Sequence, residues 1–154
     1  MTVRGRSLRA YAESDLPALI DLWVAAWSEG RFAIDFGARR EWLGDRLRAL
    51  RANGAVIVVG LDAGGLPAGF VTIDPGTGDL DQLCVAPKER GSGLAVALVD
   101  EAKRRSPRGI MLEVNEQNVR ARRFYEREGF TVSRLGVNAG SGLPTLKMLW
   151  RAPG

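Results

Sequence analysis

A chain of 154 residues with 45% hydrophobic and 26% charged residues has the composition of a soluble globular protein, and we expect one domain over residues 1–154. The sequence has no histidine and a single cysteine, Cys84. This excludes an internal disulfide and a cysteine-based zinc site, and it removes the commonest metal ligand and general base, so we expect no metal.

The net charge of +4 is compatible with a polyanionic ligand. Most arginines are scattered among acidic residues, and no aromatic and basic residues alternate, so we expect no nucleic-acid partner. No apolar run approaches the roughly 18 residues that span a bilayer, and the basic N-terminus lacks the apolar core of a signal peptide. These features predict a cytoplasmic protein with no membrane partner.

Hydrophobic periodicity and turn residues predict elements in the order β, α, α, β, β, β, α, β, α, β, β. The predicted strands lie at 7–10, 55–61, 68–73, 80–85, 109–114, 130–135 and 145–150. Four helices are predicted. The first begins at Ser14 or Asp15, the second spans 38–52 and the third spans 91–105. The fourth begins within 115–118 and ends at Gly129. Consecutive hairpins indicate antiparallel pairing, whereas the crossover helix between 80–85 and 109–114 indicates a parallel pair, so the sheet is mixed.

The stretch RGSGLA at 90–95 joins the strand at 80–85 to the following helix. Its glycines allow close approach to the backbone, and the first amides of a helix have no partner within the helix. With the helix dipole, these N–H groups form an anion site suited to phosphate. A tight turn without a ligand is the alternative interpretation.

A second group of residues lies on the next predicted helix. Asn118, Ala121 and Tyr125 stand at positions i, i+3 and i+7, so they share one helix face at the carboxyl end of the preceding strand. We expect this face to border a cleft beside the glycine-rich turn. Asn118 as a helix cap and Tyr125 as a packed aromatic residue are the alternatives.

The two regions together resemble a known family. The pattern Leu80-x-x-Leu83-x-Val85-x-Pro87-x-x-Arg90-x-x-Gly93-x-Ala95, followed by Asn118-x-x-Ala121-x-x-Phe124-Tyr125-x-x-x-Gly129-Phe130, closely resembles the two signature motifs of the GNAT superfamily of N-acetyltransferases. The element order extends the resemblance to nearly the whole chain. It implies an α/β (α+β) fold: a mixed, mostly antiparallel sheet of about six or seven strands flanked by about four helices.

The resemblance also implies acetyl-CoA as cosubstrate. The 90–95 loop would bind the pyrophosphate through the amides of Gly91, Gly93, Leu94 and Ala95, and the backbone of the strand at 83–85 would pair with pantetheine. The Asn118 side chain would contact the pantetheine arm, and the Tyr125 hydroxyl would reach the thiol. The implied cofactor-binding residues are Leu83, Cys84, Val85, Arg90, Gly91, Ser92, Gly93, Leu94, Ala95, Asn118 and Ala121.

Amine attack on a thioester expels a thiolate, and a phenol beside it can donate a proton, which makes Tyr125 the candidate acid. The proton of the amine goes to a carboxylate or a water relay, or the amine arrives neutral. Asp79 occupies the strand position at which the histone-acetylating branch of the family carries Glu, and Asp81 and Glu113 are further candidates. A turn carboxylate is the alternative interpretation of Asp79. Cys84 is expected to be a small buried side chain, with direct transfer to the amine.

The family builds its acceptor pocket between the first two helices, where Trp27 and Phe32 are candidate substrate-binding residues, with core packing as the alternative. The expected activity is transfer of an acetyl group to a primary amine of a small molecule, peptide or protein. The alternative is a non-catalytic acyl-CoA-binding or sensor module on the same fold. Homodimers are common in the family, although no residue here indicates one.

Overall fold

The computed structural model describes residues 2–3, 6–28 and 36–153. The strands are β1 (Thr2–Val3), β2 (Arg6–Ala10), β3 (Val56–Leu61), β4 (Pro67–Ile73), β5 (Leu83–Val85), β6 (Ile110–Asn115), β7 (Thr131–Val137) and β8 (Pro144–Trp150). The helices are α1 (Leu16–Ser28), α2 (Phe36–Ala52), α3 (Leu94–Arg105) and α4 (Val119–Arg127). The predicted fold class and element order are confirmed, with β1 as an addition.

The strands form two antiparallel sheets, one in the order β1-β2-β3-β4-β5 and one in the order β6-β8-β7. A short parallel contact joins them: the Met111 amide donates to the Gly78 carbonyl at 2.8 Å, and the Leu80 amide donates to the Met111 carbonyl at 2.9 Å. The strand predicted at 80–85 is therefore divided. Its first residues pair with β6, and β5 then pairs only with β4.

The helices cover opposite faces of the first sheet. Ile57 and Val59 of β3 pack with the apolar residues of α1 and α2, whereas Val58 packs with those of α3. This division follows from the alternation of side chains along a strand. Tyr125 of α4 belongs to the same cluster as α3, so the two cores lie on the two sides of the sheet.

Strand β6 shows why the second sheet keeps one open face. Ile110, Leu112 and Val114 are buried on the α4 side, and the intervening Met111 and Glu113 are exposed on the other side. Helices α1 and α2 contact strands of the first sheet, so the Glu113 face continues beyond their cover. No helix within the described ranges is long and apolar enough to cross a membrane.

Candidate active site

A gap between β5 and β6 is the centre of the candidate site. The Ala86 amide donates to the Ala68 carbonyl at 2.7 Å, and the Thr72 amide donates to the Gln82 carbonyl at 2.9 Å. Because bonding alternates along an antiparallel pair, the N–H and C=O groups of Leu83 and Val85 point away from β4, toward β6. Beyond Leu80, no backbone hydrogen bond within the described ranges crosses this gap.

The glycine-rich loop at the end of β5 exposes backbone donors. Gly91 and Gly93 have φ values of 79° and 91°, in the left-handed region that glycine adopts without strain. Within the described residues, no acceptor is bonded to the amides of Gly91, Gly93, Ala95 or Val96. These groups lie at the start of α3, where the helix dipole favours an anion.

Two amides of the loop have partners within it, and one of them, the Leu94 amide, is a predicted donor. The Ser92 amide donates to the Glu89 carbonyl at 3.1 Å, and the Leu94 amide donates to Ser92 Oγ at 3.2 Å. Val96, which the sequence pattern did not single out, supplies a free amide instead. Its position as the third residue of α3 is the signal that identifies it.

Long-range ion pairs hold the segment before the loop. Glu89, only 4% exposed, accepts a hydrogen bond from Arg6 Nε of β2 at 3.1 Å. The neighbouring Lys88 lies 3.4 Å from the Asp62 carboxylate in the β3–β4 turn. The loop is thus anchored to β2 and to the β3–β4 turn, which pre-organises its free amides.

Tyr125 lies in the apolar layer between α4 and the second sheet, with its ring centroid 5.3 Å from that of Phe124 and 5.4 Å from that of Phe130. Its hydroxyl has no hydrogen-bond partner among the described residues. Burial raises the pKa of Tyr125 well above its usual value of 10.0, and the nearby Cys84 thiol of β5 raises it further. The phenol is therefore protonated at neutral pH.

Asn118 acts as the N-cap of α4. Its Oδ1 accepts a hydrogen bond from the Ala121 amide at 3.2 Å, which satisfies one of the free donors at the helix start. Asn118 itself is exposed and Ala121 is half-buried, so both remain accessible from the solvent side. The cap explains the Asn structurally, and its contact with the pantetheine arm remains a prediction.

Cys84 lies between Leu83 and Val85 on β5 and packs against the α1 and α2 core. Burial raises the pKa of its thiol to about 12, against a smaller opposing effect of Arg90. A thiol that stays protonated is a poor nucleophile, which favours direct transfer.

The three candidate carboxylates differ in their partners. Arg46 of α2 binds Asp81 through two hydrogen bonds, and Lys147 of β8 lies 3.9 Å from Glu113. Asp79 has no hydrogen bond or ion pair from its carboxylate within the described part of the chain. Burial raises the pKa of Asp79, with a further contribution from Asp81. Of the three, Asp79 is the carboxylate free to accept a proton.

One of the two predicted acceptor residues, Trp27, lies at the end of α1. Trp27 is half-buried against Trp23, with ring centroids 5.6 Å apart, and the Arg39 guanidinium lies 5.7 Å from its ring centroid. Trp42 of α2 stacks on Trp23 yet remains 43% exposed. Phe32 lies outside the described residues.

A gap between diverging strands, a group of free backbone amides at one end and an unpartnered phenol form an arrangement suited to an acyltransferase. The sequence profile of the acetyltransferase (GNAT) family matches residues 16–130, and the chain belongs to this family. The protein is an N-acetyltransferase, and its family uses acetyl-CoA as the donor.

Known relatives agree with this assignment. The chain is 32% identical over 143 residues to the peptidyl-lysine N-acetyltransferase YiaC of Escherichia coli (strain K12), a match that covers 93% of this chain and 95% of YiaC. It is 40% identical over 87 residues to the peptidyl-lysine N-acetyltransferase YjaB of Salmonella typhimurium (strain LT2), covering 54% of this chain and 57% of YjaB.

Solved structures show the same fold. The PaiA N-acetyltransferase of Thermoplasma acidophilum in complex with coenzyme A aligns with a TM-score of 0.76 at 18% identity, covering 98% of this chain and 99% of that one. The apo form of YjaB from Escherichia coli aligns with a TM-score of 0.76 at 24% identity, covering 96% of this chain and 99% of that one.

Proposed function

We propose that this enzyme transfers the acetyl group of acetyl-CoA directly to the side-chain amine of a lysine in a peptide or protein. The observation that carries the proposal is the division of the sheet after Leu80. Tyr125 packs in the core on the α3 side of the sheet. Asp79 pairs with the exposed Met111 and stands two residues before Asp81, which binds Arg46 of α2, so we place it toward the opposite side. A proton donor and a proton acceptor thus flank one opening.

The donor site fits an extended phosphate-bearing molecule. The free amides of Gly91, Gly93, Ala95 and Val96 would bind its pyrophosphate, and the outward N–H and C=O groups of Leu83 and Val85 would pair with its amide-containing arm. Bound acetyl-CoA supplies the reactive thioester. Because backbone provides most of these contacts, the site depends on the backbone conformation of the loop more than on its side chains.

Tyr125 acts as the general acid in this proposal. The phenol is protonated at neutral pH, as its usual pKa of 10.0 already ensures, so its hydroxyl can donate a proton to the leaving sulfur. Asp79 accepts the proton that the amine releases, either directly or through water. Although Asp79 is exposed, partial burial raises the pKa of its carboxyl group, so it is a stronger base than a fully solvated aspartate.

The acceptor class is supported by relatives and by the open face of the sheet. YiaC and YjaB are peptidyl-lysine N-acetyltransferases. In this chain the exposed face that carries Glu113 continues from Asp79 beyond the cover of α1 and α2. A surface of this kind can receive a lysine presented by a large molecule, since the acceptor does not have to be enclosed.

A transfer assay tests the proposal. Purified enzyme, acetyl-CoA and a panel of lysine peptides and small primary amines are combined, with thiol release and acetylated product followed in parallel. We expect acetylation of the lysine side chain, and Asp79→Asn should lower its rate. Acetylation confined to small amines would overturn the acceptor class. Acetyl-CoA binding without transfer to any amine would overturn the catalytic role and favour a sensor module.

A further inference from the structure

An ion pair links α2 to the segment that precedes β5. Arg46 Nε lies 3.0 Å from Asp81 Oδ2, and Arg46 Nη2 lies 2.5 Å from Asp81 Oδ1. The two residues are 35 positions apart in the chain. The Asp81 side chain is only 19% exposed, and a two-point arginine–carboxylate contact fixes orientation as well as distance.

The same segment is held from the other side by β4. The Gln82 amide donates to Thr72 Oγ1 at 2.9 Å, and the Thr72 amide donates to the Gln82 carbonyl at 2.9 Å. Gln82 Nε2 also donates to Asp81 Oδ2 at 3.1 Å. Asp81 thus has both oxygens occupied, and the chain around it is clamped between β4 and α2.

Asp79 lies two residues before this clamp, and its backbone is fixed as well. Its carbonyl accepts from the Asp74 amide at 2.9 Å, and its neighbours Gly78 and Leu80 bond to Met111 of β6. The free carboxylate of Asp79 is therefore presented from a rigid backbone. Two residues further along that backbone, the Asp81 carboxylate is paired with the Arg46 guanidinium, which compensates its charge.

We propose that Arg46 is a positioning residue for the acetyl-transfer reaction, acting through its pair with Asp81 to hold the segment that presents Asp79 and to cancel the adjacent negative charge. The proposal rests on the proposed function, in which Asp79 takes the proton of the amine. Arg46 itself touches neither the reacting atoms nor Asp79 in this arrangement.

The charges around Asp79 give the proposal a measurable sign. Burial is the main cause that raises the pKa of Asp79; Asp81 and Asp74 raise it further, and Arg46 and Lys147 lower it. Lys147 in turn lies beside Glu113. Removing the Arg46 charge should therefore raise the pKa of Asp79, whereas removing the Asp81 charge and leaving Arg46 unpaired should lower it.

Two readouts test this in the full-length enzyme. Carboxyl-carbon NMR of the aspartate-labelled protein, with Asp79 assigned through Asp79→Asn, gives its pKa without reference to activity. The dependence of kcat on pH with a lysine peptide gives the effect on the reaction. The variants are Arg46→Gln, Asp81→Asn and the double variant. The matched control is Arg40→Gln, which removes a charge from α2 at its exposed pair with Asp21. Thermal melting checks folding.

We expect the pKa of Asp79 to rise in Arg46→Gln and to fall in Asp81→Asn. It should take an intermediate value in the double variant and stay unchanged in Arg40→Gln. Relative to wild type, the ratio of kcat at pH 5 to kcat at pH 8 should fall in Arg46→Gln and rise in Asp81→Asn. Shifts in the same direction, or none, in folded variants would overturn the proposal. Opposite titration shifts with an unchanged kcat profile would instead overturn Asp79 as the base. A wild-type enzyme that transfers no acetyl group would overturn the proposed function and leave the titration readout standing.

Discussion

Burial decides what the Tyr125 hydroxyl can do. The residue is 7% exposed between Phe124 and Phe130, so ionisation of the phenol would place a charge in an apolar layer. The raised pKa therefore follows from the same packing that fixes the ring. The packing thus fixes a hydroxyl that is protonated at neutral pH, as a proton donor to a departing thiolate must be.

Replacing Tyr125 by Phe should lower kcat roughly a hundredfold, because the proton donor is lost while the ring packing remains. The dissociation constant of acetyl-CoA should stay within about twofold, since the proposed binding groups are backbone amides. Thiol release and calorimetry measure the two quantities. Tyr11→Phe is the control, because its hydroxyl lies 3.4 Å from Glu13, far from the gap in the sheet. Unaltered kcat in Tyr125→Phe would remove this residue as the acid.

Cys84 offers a second test at the scale of one residue. Because burial raises the pKa of its thiol to about 12, we expect little thiolate at neutral pH and no covalent acetyl-enzyme. Cys84→Ala should keep kcat within about threefold of wild type, since only packing changes. Mass spectrometry of the enzyme quenched during turnover checks the same point. An acetyl group on Cys84 would contradict direct transfer.

At the scale of elements, the loop before α3 depends on backbone conformation. Gly93 has a φ of 91°, so a β-branched residue there would be strained by roughly 1–2 kcal/mol or would move the free amides. We expect Gly93→Val to weaken acetyl-CoA binding at least tenfold. The matched control is Gly65→Val. Gly65 has a φ of 83° in the β3–β4 turn, so valine there is strained in the same way but lies outside the loop before α3. Normal acetyl-CoA binding by a folded Gly93→Val variant would refute the proposal that the loop amides bind the pyrophosphate.

Helix α4 depends on a residue of α3. Lys103 Nζ donates to the Glu128 carbonyl at 2.6 Å and lies 5.1 Å from the Trp150 ring centroid. Lys103→Met should lower the free energy of unfolding by about 1–2 kcal/mol, because a charged hydrogen bond and a cation–π contact are lost together. Chemical denaturation measures the loss. Arg48→Met, at a residue 58% exposed, should change stability by less than about 0.5 kcal/mol. Equal losses would contradict the capping role.

The sequence predicts these elements well where periodicity or capping chemistry is local. The starts of α2 and α4 fall within a few residues of prediction, and Asn118 caps α4 as its residue type favours. The strand predicted at 80–85 is less regular, because β6 competes with β4 for its pairing. The occupied Leu94 amide and the free Val96 amide depend on how Ser92 turns, which spacing alone does not specify.

At the scale of the molecule, ion pairs across elements couple stability to pH. Asp15 is 6% exposed, and the hydrogen bond from Arg9 holds its pKa below the usual range against a smaller effect of burial. A lowered pKa contributes stability that is present above the unfolded-state value and is lost as pH falls through the folded-state value. The Arg9–Asp15 pair therefore stabilises the protein at neutral pH, and this stabilisation is lost in acid.

Asp15→Asn should cost roughly 1–2 kcal/mol at pH 7, with allowance for solvent screening because Arg9 is 41% exposed. The difference from wild type should begin to shrink as pH falls below the usual aspartate pKa of 3.8, because the unfolded chain then binds a proton that the folded Asp15 does not, and it should vanish once pH falls below the folded-state pKa. Urea unfolding at several pH values measures both trends. A difference that stays constant with pH would show that the charge of Asp15 contributes nothing.

Long-range geometry is what the sequence could not supply. The choice among Asp79, Asp81 and Glu113 stayed open because it depends on Arg46 of α2 and Lys147 of β8, each distant in sequence from the carboxylate that it pairs with. The exposure of Trp42 likewise depends on how α1 and α2 cross. The free amides of the loop before α3 and the position of Tyr125 on α4 could be predicted, because each depends on a short sequence motif.

The central claim is that the loop before α3 and the gap between β5 and β6 hold acetyl-CoA. Residue-resolved amide hydrogen exchange with and without acetyl-CoA tests it most directly. We predict slowed exchange at Leu83, Val85, Gly93 and Val96, with the β3–β4 turn at Gly65 unchanged. Saturable binding that leaves these four amides exchanging as before would contradict the account.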